Sequence, residues 1–138
     1  MSRDSGSEDT ARFAGDIVSQ KSPVLLPEEL SAVAALPANS ALLIVHRGPG
    51  QGSRFLLDQD LTVAGRHPEA DIFLDDVTVS RRHAQFEREG RTFSVSDLGS
   101  MNGTYVDGQS LEKQQLMTGM EVMIGKFRLT FYGSEKEH

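Results

Sequence analysis

The sequence predicts an all-β fold, an antiparallel β-sandwich behind a largely disordered N-terminal tail, and three observations carry that prediction. Past residue 40, apolar or alternating runs of three to six residues recur, cut by turn-forming residues at regular spacing. Short strands separated in this way are the pattern of a sandwich. No helical periodicity of useful length survives in the same region. Before residue 40 the texture is polar, rich in Ser and acids, with three prolines. At 138 residues the chain has room for one domain and a tail, and not for two full-sized domains.

Residues 1–39 are expected to form the flexible tail. Arg3, Arg12 and Lys21 face Asp4, Glu8, Asp9, Asp16, Glu28 and Glu29, a net charge of −3. Such a stretch cannot bury enough apolar surface to offset the entropy of ordering it. One short helix is foreseen inside it. Pro27 suits a first turn, Glu28 and Glu29 complement the positive dipole end, and Leu30, Val33 and Ala34 share a face ahead of Pro37. A helix of about ten residues is marginal alone, so a linker is the expectation here.

The domain is expected over 40–134. Its strands are placed at 41–46, 54–57, 61–64, 72–74, 84–87, 92–96, 104–106, 114–117, 121–124 and 127–132. Gly48-Pro49-Gly50, Asp58 to Asp60, His67-Pro68, Glu89-Gly90, Thr118-Gly119 and Gly125-Lys126 supply breaks between them. Asp107-Gly108 reads as a type I′ hairpin turn, in which both central residues need positive φ.

Composition narrows the function. Twenty Asp and Glu against fourteen Lys and Arg give a net charge of −6. That balance argues against nucleic acid or an anionic membrane as partner, since both recruit surplus positive charge. There is no Cys, so disulfides, Cys-ligated metal and thiol chemistry are excluded. No apolar stretch approaches the roughly 18 residues of a membrane span, and the opening residues lack a signal peptide's apolar region. A cytoplasmic monomer without cofactor or metal is expected.

If strands are scaffold, function sits on loops, and three stand out. They are Gly65-Arg66-His67-Pro68-Glu69-Ala70-Asp71, Thr78-Val79-Ser80-Arg81-Arg82-His83 and Asp97-Leu98-Gly99-Ser100-Met101-Asn102-Gly103-Thr104. Arg66, Arg81 and Arg82 offer guanidinium forks that match phosphate oxygens, and Ser80 and Ser100 add compact hydroxyl contacts. Asn102 can donate to and accept from a peptide backbone at once. On an acidic protein, three arginines grouped with Ser and Asn fit one bound dianion better than a diffuse field.

Other readings of the same residues are weaker. Ser80, His83 and Asp97 have the composition of a catalytic triad, yet no nucleophile elbow or strand–turn–helix is present, so no enzyme is expected. The pairs Asp58/Asp60 and Asp75/Asp76 match no EF-hand loop and are ordinary turn acids. Gly48-Pro49-Gly50-Gln51-Gly52 lacks the Gly-Lys-Ser/Thr of a nucleotide loop.

Taken in order, Gly65-Arg66, Ser80-Arg81-Arg82-His83 and Asp97-Leu98-Gly99-Ser100-Met101-Asn102-Gly103-Thr104 resemble the forkhead-associated (FHA) domain, a β-sandwich that binds phosphothreonine peptides. The likeness covers about 40–132. It implies that Arg66 and Ser80 grip the phosphate, that Arg81, Arg82 and Ser100 support it, and that Asn102 holds the peptide backbone. It also implies that Gly65, His83, Gly99 and Gly103 shape the loops. Met120 stands where the family often has Asp. The family's preference for phosphothreonine over phosphoserine implies burial of the γ-methyl, worth about 0.8 kcal/mol, with Val79 or Val106 as candidates for lining that contact.

In the tail, Glu8-Asp9-Thr10-Ala11-Arg12-Phe13 sets a threonine three residues before an aromatic. FHA modules commonly read the +3 residue, which makes Thr10 the candidate phosphorylation site and the phosphorylated tail a candidate ligand. About 30 residues separate Thr10 from Ser40, a span of roughly 30 Å for a flexible chain. The stretches 40–43, 64–82 and 124–129 further resemble an actinobacterial branch of the family, the GarA/OdhI-type regulators. That resemblance implies an inhibitor of the 2-oxoglutarate dehydrogenase complex or of glutamate-metabolising enzymes, released when a Ser/Thr protein kinase modifies the tail. The branch typically carries two adjacent threonines there, and Asp9 replaces the first. The alternative is an adaptor reading phosphothreonine on other proteins.

Overall fold

A computed structural model of the chain describes residues 24–136. Two sheets face each other. The first runs β2 (Arg54–Leu57), β1 (Ala41–Arg47), β11 (Phe127–Gly133), β10 (Glu121–Ile124), β7 (Thr104–Val106) and β8 (Gln109–Ser110). The second runs β4 (Ile72–Phe73), β3 (Leu61–Gly65), β5 (Ala84–Glu89), β6 (Thr92–Asp97) and β9 (Lys113–Leu116). Every pairing is antiparallel except β3 with β4, which is parallel. The expected sandwich is therefore present with one parallel edge. The pair β3–β4 cannot be a tight hairpin, because parallel neighbours need a crossover, and the Arg66–Asp71 loop supplies it.

Inward residues alternate along the central strands. Leu43, Val45, Phe86, Val95, Ile124 and Leu129 are sealed between the sheets. Strand β8 escapes the sequence reading, since two exposed polar residues carry no alternation. It exists because Asp107 (φ 50°) and Gly108 (φ 85°) reverse the chain onto β7, as the Asp-Gly turn predicts.

The stretch read as linker contains a docked helix, α1 (Pro27–Ala34). Its buried stripe is Glu29 and Val33, continued by Leu36, rather than Leu30, Val33 and Ala34. Val33 and Leu36 cover Leu42, Ile44 and Tyr132 on the outer face of β1 and β11. That docking supplies the partner a helix of eight residues needs. The Glu29 carboxylate accepts the Leu26 N–H at 2.9 Å and closes the first turn. Thr10 and the rest of the expected tail before residue 24 lie outside the described residues.

Candidate functional site

The three loops meet at one end of the sandwich, where β3 and β6 finish and β5 and β7 begin. Gly65 makes the first junction. A side chain there would overlap the Arg81 carbonyl, so only glycine lets the end of β3 lie against the 80–81 backbone. The Arg66 N–H then donates to the Ser80 carbonyl at 2.9 Å, and the His67 N–H to the Arg81 carbonyl at 3.4 Å.

His83 makes the second junction. It is fully buried. Its Nδ1 accepts the Ser80 N–H at 3.0 Å, which places the ring proton on Nε2, and Nε2 donates to the Gly103 carbonyl at 2.8 Å. Both nitrogens are spent on backbone from two different loops. The Ser80 hydroxyl oxygen meanwhile accepts the Met101 N–H at 3.0 Å, and the Asn102 amide donates to the Thr78 carbonyl at 2.9 Å. The Asp97 carboxylate makes no hydrogen bond to His83. It takes the hydroxyls of Ser100 (2.6 Å) and Thr104 (2.7 Å) with the N–H groups of Gly99 and Ser100. A triad needs a serine–histidine–acid relay, and none of its links exists here.

Burial alone would push the Asp97 carboxyl up. The hydroxyls of Ser100 and Thr104 and the backbone N–H groups outweigh it, so its pKa is held below the ordinary carboxylate value. Asp76 is lowered as well, chiefly by the Thr78 hydroxyl and then the Thr78 N–H. The positive charges of Lys126 and Arg66 also reach Asp76, which sets both cations beside the loop that bears Ser80.

The rim thus gathers Arg66, Ser80 and Asn102 on loops tied directly to one another. Arg66, Arg81, Arg82 and Asn102 are exposed and Ser80 is half-buried. Ser100 sits inside the brace instead, donating to Asp97 and accepting the Gly103 N–H at 2.9 Å. Gly99 and Gly103 take positive φ of 75° and 83°. Val79 and Val106 are sealed in the core at 1% and 6% exposure, so neither lines a surface contact for a methyl group. The apolar side chains offered at the rim are Val77 and Met101, at 82% and 91% exposure.

Sequence reasoning passed over a fourth contributor, the β10–β11 turn. Gly125 (φ 59°) packs so closely on Thr78 and Val79 that a side chain would collide with them, and the Lys126 N–H donates to the Thr78 hydroxyl oxygen at 3.0 Å. Thr78 therefore receives bonds from both Lys126 and Asn102. The local half of this, an Asp two residues before a Thr, is a readable turn signal. The contact with Lys126, 48 residues away, is not.

Comparison with known proteins now has a geometry to rest on. The FHA domain profile matches residues 62–125. Over 139 aligned positions the chain is 53% identical to the glycogen accumulation regulator GarA of Mycolicibacterium smegmatis, covering 99% of this chain and 88% of that protein. The chain belongs to the FHA-domain family. It is also 61% identical over 102 residues to the oxoglutarate dehydrogenase inhibitor of Corynebacterium glutamicum, spanning 74% of this chain and 71% of that protein. Among solved structures it resembles Mycobacterium tuberculosis EmbR in complex with a low-affinity phosphopeptide, with a TM-score of 0.66 and 26% identity over 93% of this chain and 31% of that one. This FHA protein is a non-catalytic regulator with a phosphothreonine-binding fold. Among the described residues no helix is long and apolar enough to cross a membrane.

Proposed function

We propose that this FHA protein inhibits the 2-oxoglutarate dehydrogenase complex, and glutamate-metabolising enzymes with it, while unphosphorylated, and is switched off when a Ser/Thr protein kinase modifies Thr10. The phosphorylated tail then occupies the protein's own site, with Arg66 and Ser80 on the phosphate and Asn102 on the backbone. The observation that carries the reading is the convergence of those three residues on loops stitched together by Ser80, His83 and Asn102. The relatives named as an oxoglutarate dehydrogenase inhibitor and as GarA support the metabolic target.

The tether favours self-capture. α1 is docked from Pro27, so 16 residues separate Thr10 from the docked helix, and a chain of that length with the statistics of a flexible linker would span roughly 20 Å. A domain of about 100 residues has a radius of gyration near 13 Å, so the distance is passable. An effective concentration of order millimolar against a Kd of order micromolar closes the form by about a thousandfold, roughly 4 kcal/mol.

The test is to phosphorylate the full chain with a Ser/Thr kinase and follow the amide shifts of Arg66, Ser80 and Asn102 by NMR beside inhibition of the purified dehydrogenase complex. Self-capture moves those shifts and relieves inhibition, whereas Thr10→Ala leaves inhibition locked on. Phosphorylated Arg66→Ala keeps inhibiting. Phosphorylation of Thr10 that leaves the loop shifts unmoved overturns the reading.

A further inference from the structure

At the end of the sandwich away from the Arg66 rim, a pocket of about 170 Å³ opens between the α1–β1 segment, the β5–β6 and β9–β10 turns and the end of β11. Its floor is apolar. Phe93, Leu116 and Phe131 are each no more than 4% exposed, and the two phenyl rings lie 5.5 Å apart, tilted by 58°. Its edge is cationic, with Arg91 from the β5–β6 turn and Lys136 beyond β11. Among the described residues no Asp or Glu lines it, on a chain whose acids outnumber Lys and Arg by twenty to fourteen.

The polar groups around this pocket are of two kinds. The Ser40 hydroxyl donates to the Pro37 carbonyl at 2.6 Å and the Ser134 hydroxyl to the Leu36 carbonyl at 3.0 Å, so both are committed to holding the segment after α1. The Thr118 hydroxyl oxygen accepts the Gly133 N–H at 2.9 Å, which leaves its proton for another acceptor. Arg91 and Lys136 are exposed, and among the described residues neither is held in an ion pair. Two cations and a hydroxyl donor over an aromatic floor call for a ligand that is anionic at one end and apolar at the other.

Volume sets the size of the apolar end. A cavity of about 150 Å³ takes one benzene ring, so this pocket admits a single ring. We propose that it is a second binding site, for a small carboxylate carrying one aromatic ring. The ring packs on Phe93, Leu116 and Phe131, where a tilted third ring extends the existing pair. The carboxylate meets the Arg91 guanidinium, whose fork matches its two oxygens, with Lys136 and the Thr118 hydroxyl as further donors. The site lies at the opposite end from the phosphothreonine rim and does not depend on that reading.

The experiment uses the full unphosphorylated chain and follows amide shifts by NMR at fixed ionic strength. The probes are phenylacetate, 2-phenylethanol (the ring without the charge) and acetate (the charge without the ring). For a ligand of about ten non-hydrogen atoms with so few contacts, a Kd of about 1 mM is expected for phenylacetate. Saturating shifts should appear at Leu116, Thr118 and Gly133, and not at Arg66, Ser80 or Asn102. The alcohol and acetate should each bind at least about fivefold more weakly. Arg91→Gln combined with Lys136→Gln, both at exposed positions, should weaken phenylacetate about tenfold and leave the alcohol unchanged. Shifts confined to the Arg66 rim overturn the site, as does the absence of saturable shifts at the pocket. Equal binding of the alcohol or of acetate, or an unaltered phenylacetate Kd in the double variant, overturns it as well.

Discussion

The two ends of the sandwich are made from the same kind of strand reversal and differ in what holds the reversals in place. At the end bearing Arg66, side chains of one loop bond the backbone of another: His83 to Gly103, Ser80 to Met101, Asn102 to Thr78, Thr78 to Lys126. At the opposite end turn bonds such as the Met120 N–H to the Met117 carbonyl stand beside a few long-range bonds from strand ends to the segment between α1 and β1, namely Arg88 to the Asn39 carbonyl and the Ser134 hydroxyl to the Leu36 carbonyl, rather than bonds between facing loops. That end also leaves a cavity of about 170 Å³ over Phe93, Leu116 and Phe131. One end is preorganised by polar contacts whose partners are left unsatisfied if they are cut. The other closes the sheets and ties down the segment that follows α1. If the rim holds a phosphate dianion as proposed, it gains from loops ordered before the ligand arrives, because less ordering is then charged against affinity.

Cutting the central brace should break this contrast most severely. His83→Ala removes a fully buried ring and orphans the Ser80 N–H and the Gly103 carbonyl. A loss of about 4 kcal/mol in urea unfolding is expected, with phosphopeptide binding lost in parallel. A smaller blow comes from glycine. Gly65→Ala forces the 80–81 backbone aside and should cost about 3 kcal/mol while weakening phosphopeptide binding at least about tenfold. Its counterpart at the far end, Gly90→Ala, has positive φ but nothing within 4 Å of the added carbon. It should cost only about 1 kcal/mol and leave binding unchanged. If both glycine variants bind equally poorly, the two ends are not distinct.

The mildest test is by pH. The Asp97 carboxyl is held below its ordinary value of 3.8 in the fold, so the folded chain binds fewer protons than the unfolded one just beneath that value. Its stabilisation is complete above about pH 4 and drains away as pH falls through the folded value. Asp97→Asn should therefore cost about 1–2 kcal/mol at neutral pH and show a shallower loss of stability below about pH 4 than the parent. Parallel acid-unfolding curves for the two proteins would mean that the carboxylate does not brace the Ser100–Thr104 loop.

Much of the scaffold was legible because its signals are local. Alternation placed the strands, and Asp107-Gly108 announced its own turn through two positive φ values. The helix at Pro27 was half legible. Its proline and acidic first turn were visible, yet its buried face was not, since the stripe depends on Leu42, Ile44 and Tyr132, which belong to strands farther along the chain. Within the site, Arg66, Ser80 and Asn102 were found by residue type and order. Ser100 was read as a phosphate contact from its hydroxyl and from the family resemblance, and the position of Asp97, which the sequence does not announce, is what turns that hydroxyl inward.

The sequence by itself determined where the chain would be extended, where it would turn, and which loops would be rich in guanidinium, hydroxyl and amide groups. All of these follow from side-chain volume, backbone freedom and charge within a few residues. The tertiary structure alone decided that the loops converge and which polar atoms are consumed in joining them. The joining bonds span 20, 21, 24 and 48 residues. At such separations no local preference specifies a partner, and the pairing is set by the sheets that carry both loops to the same edge.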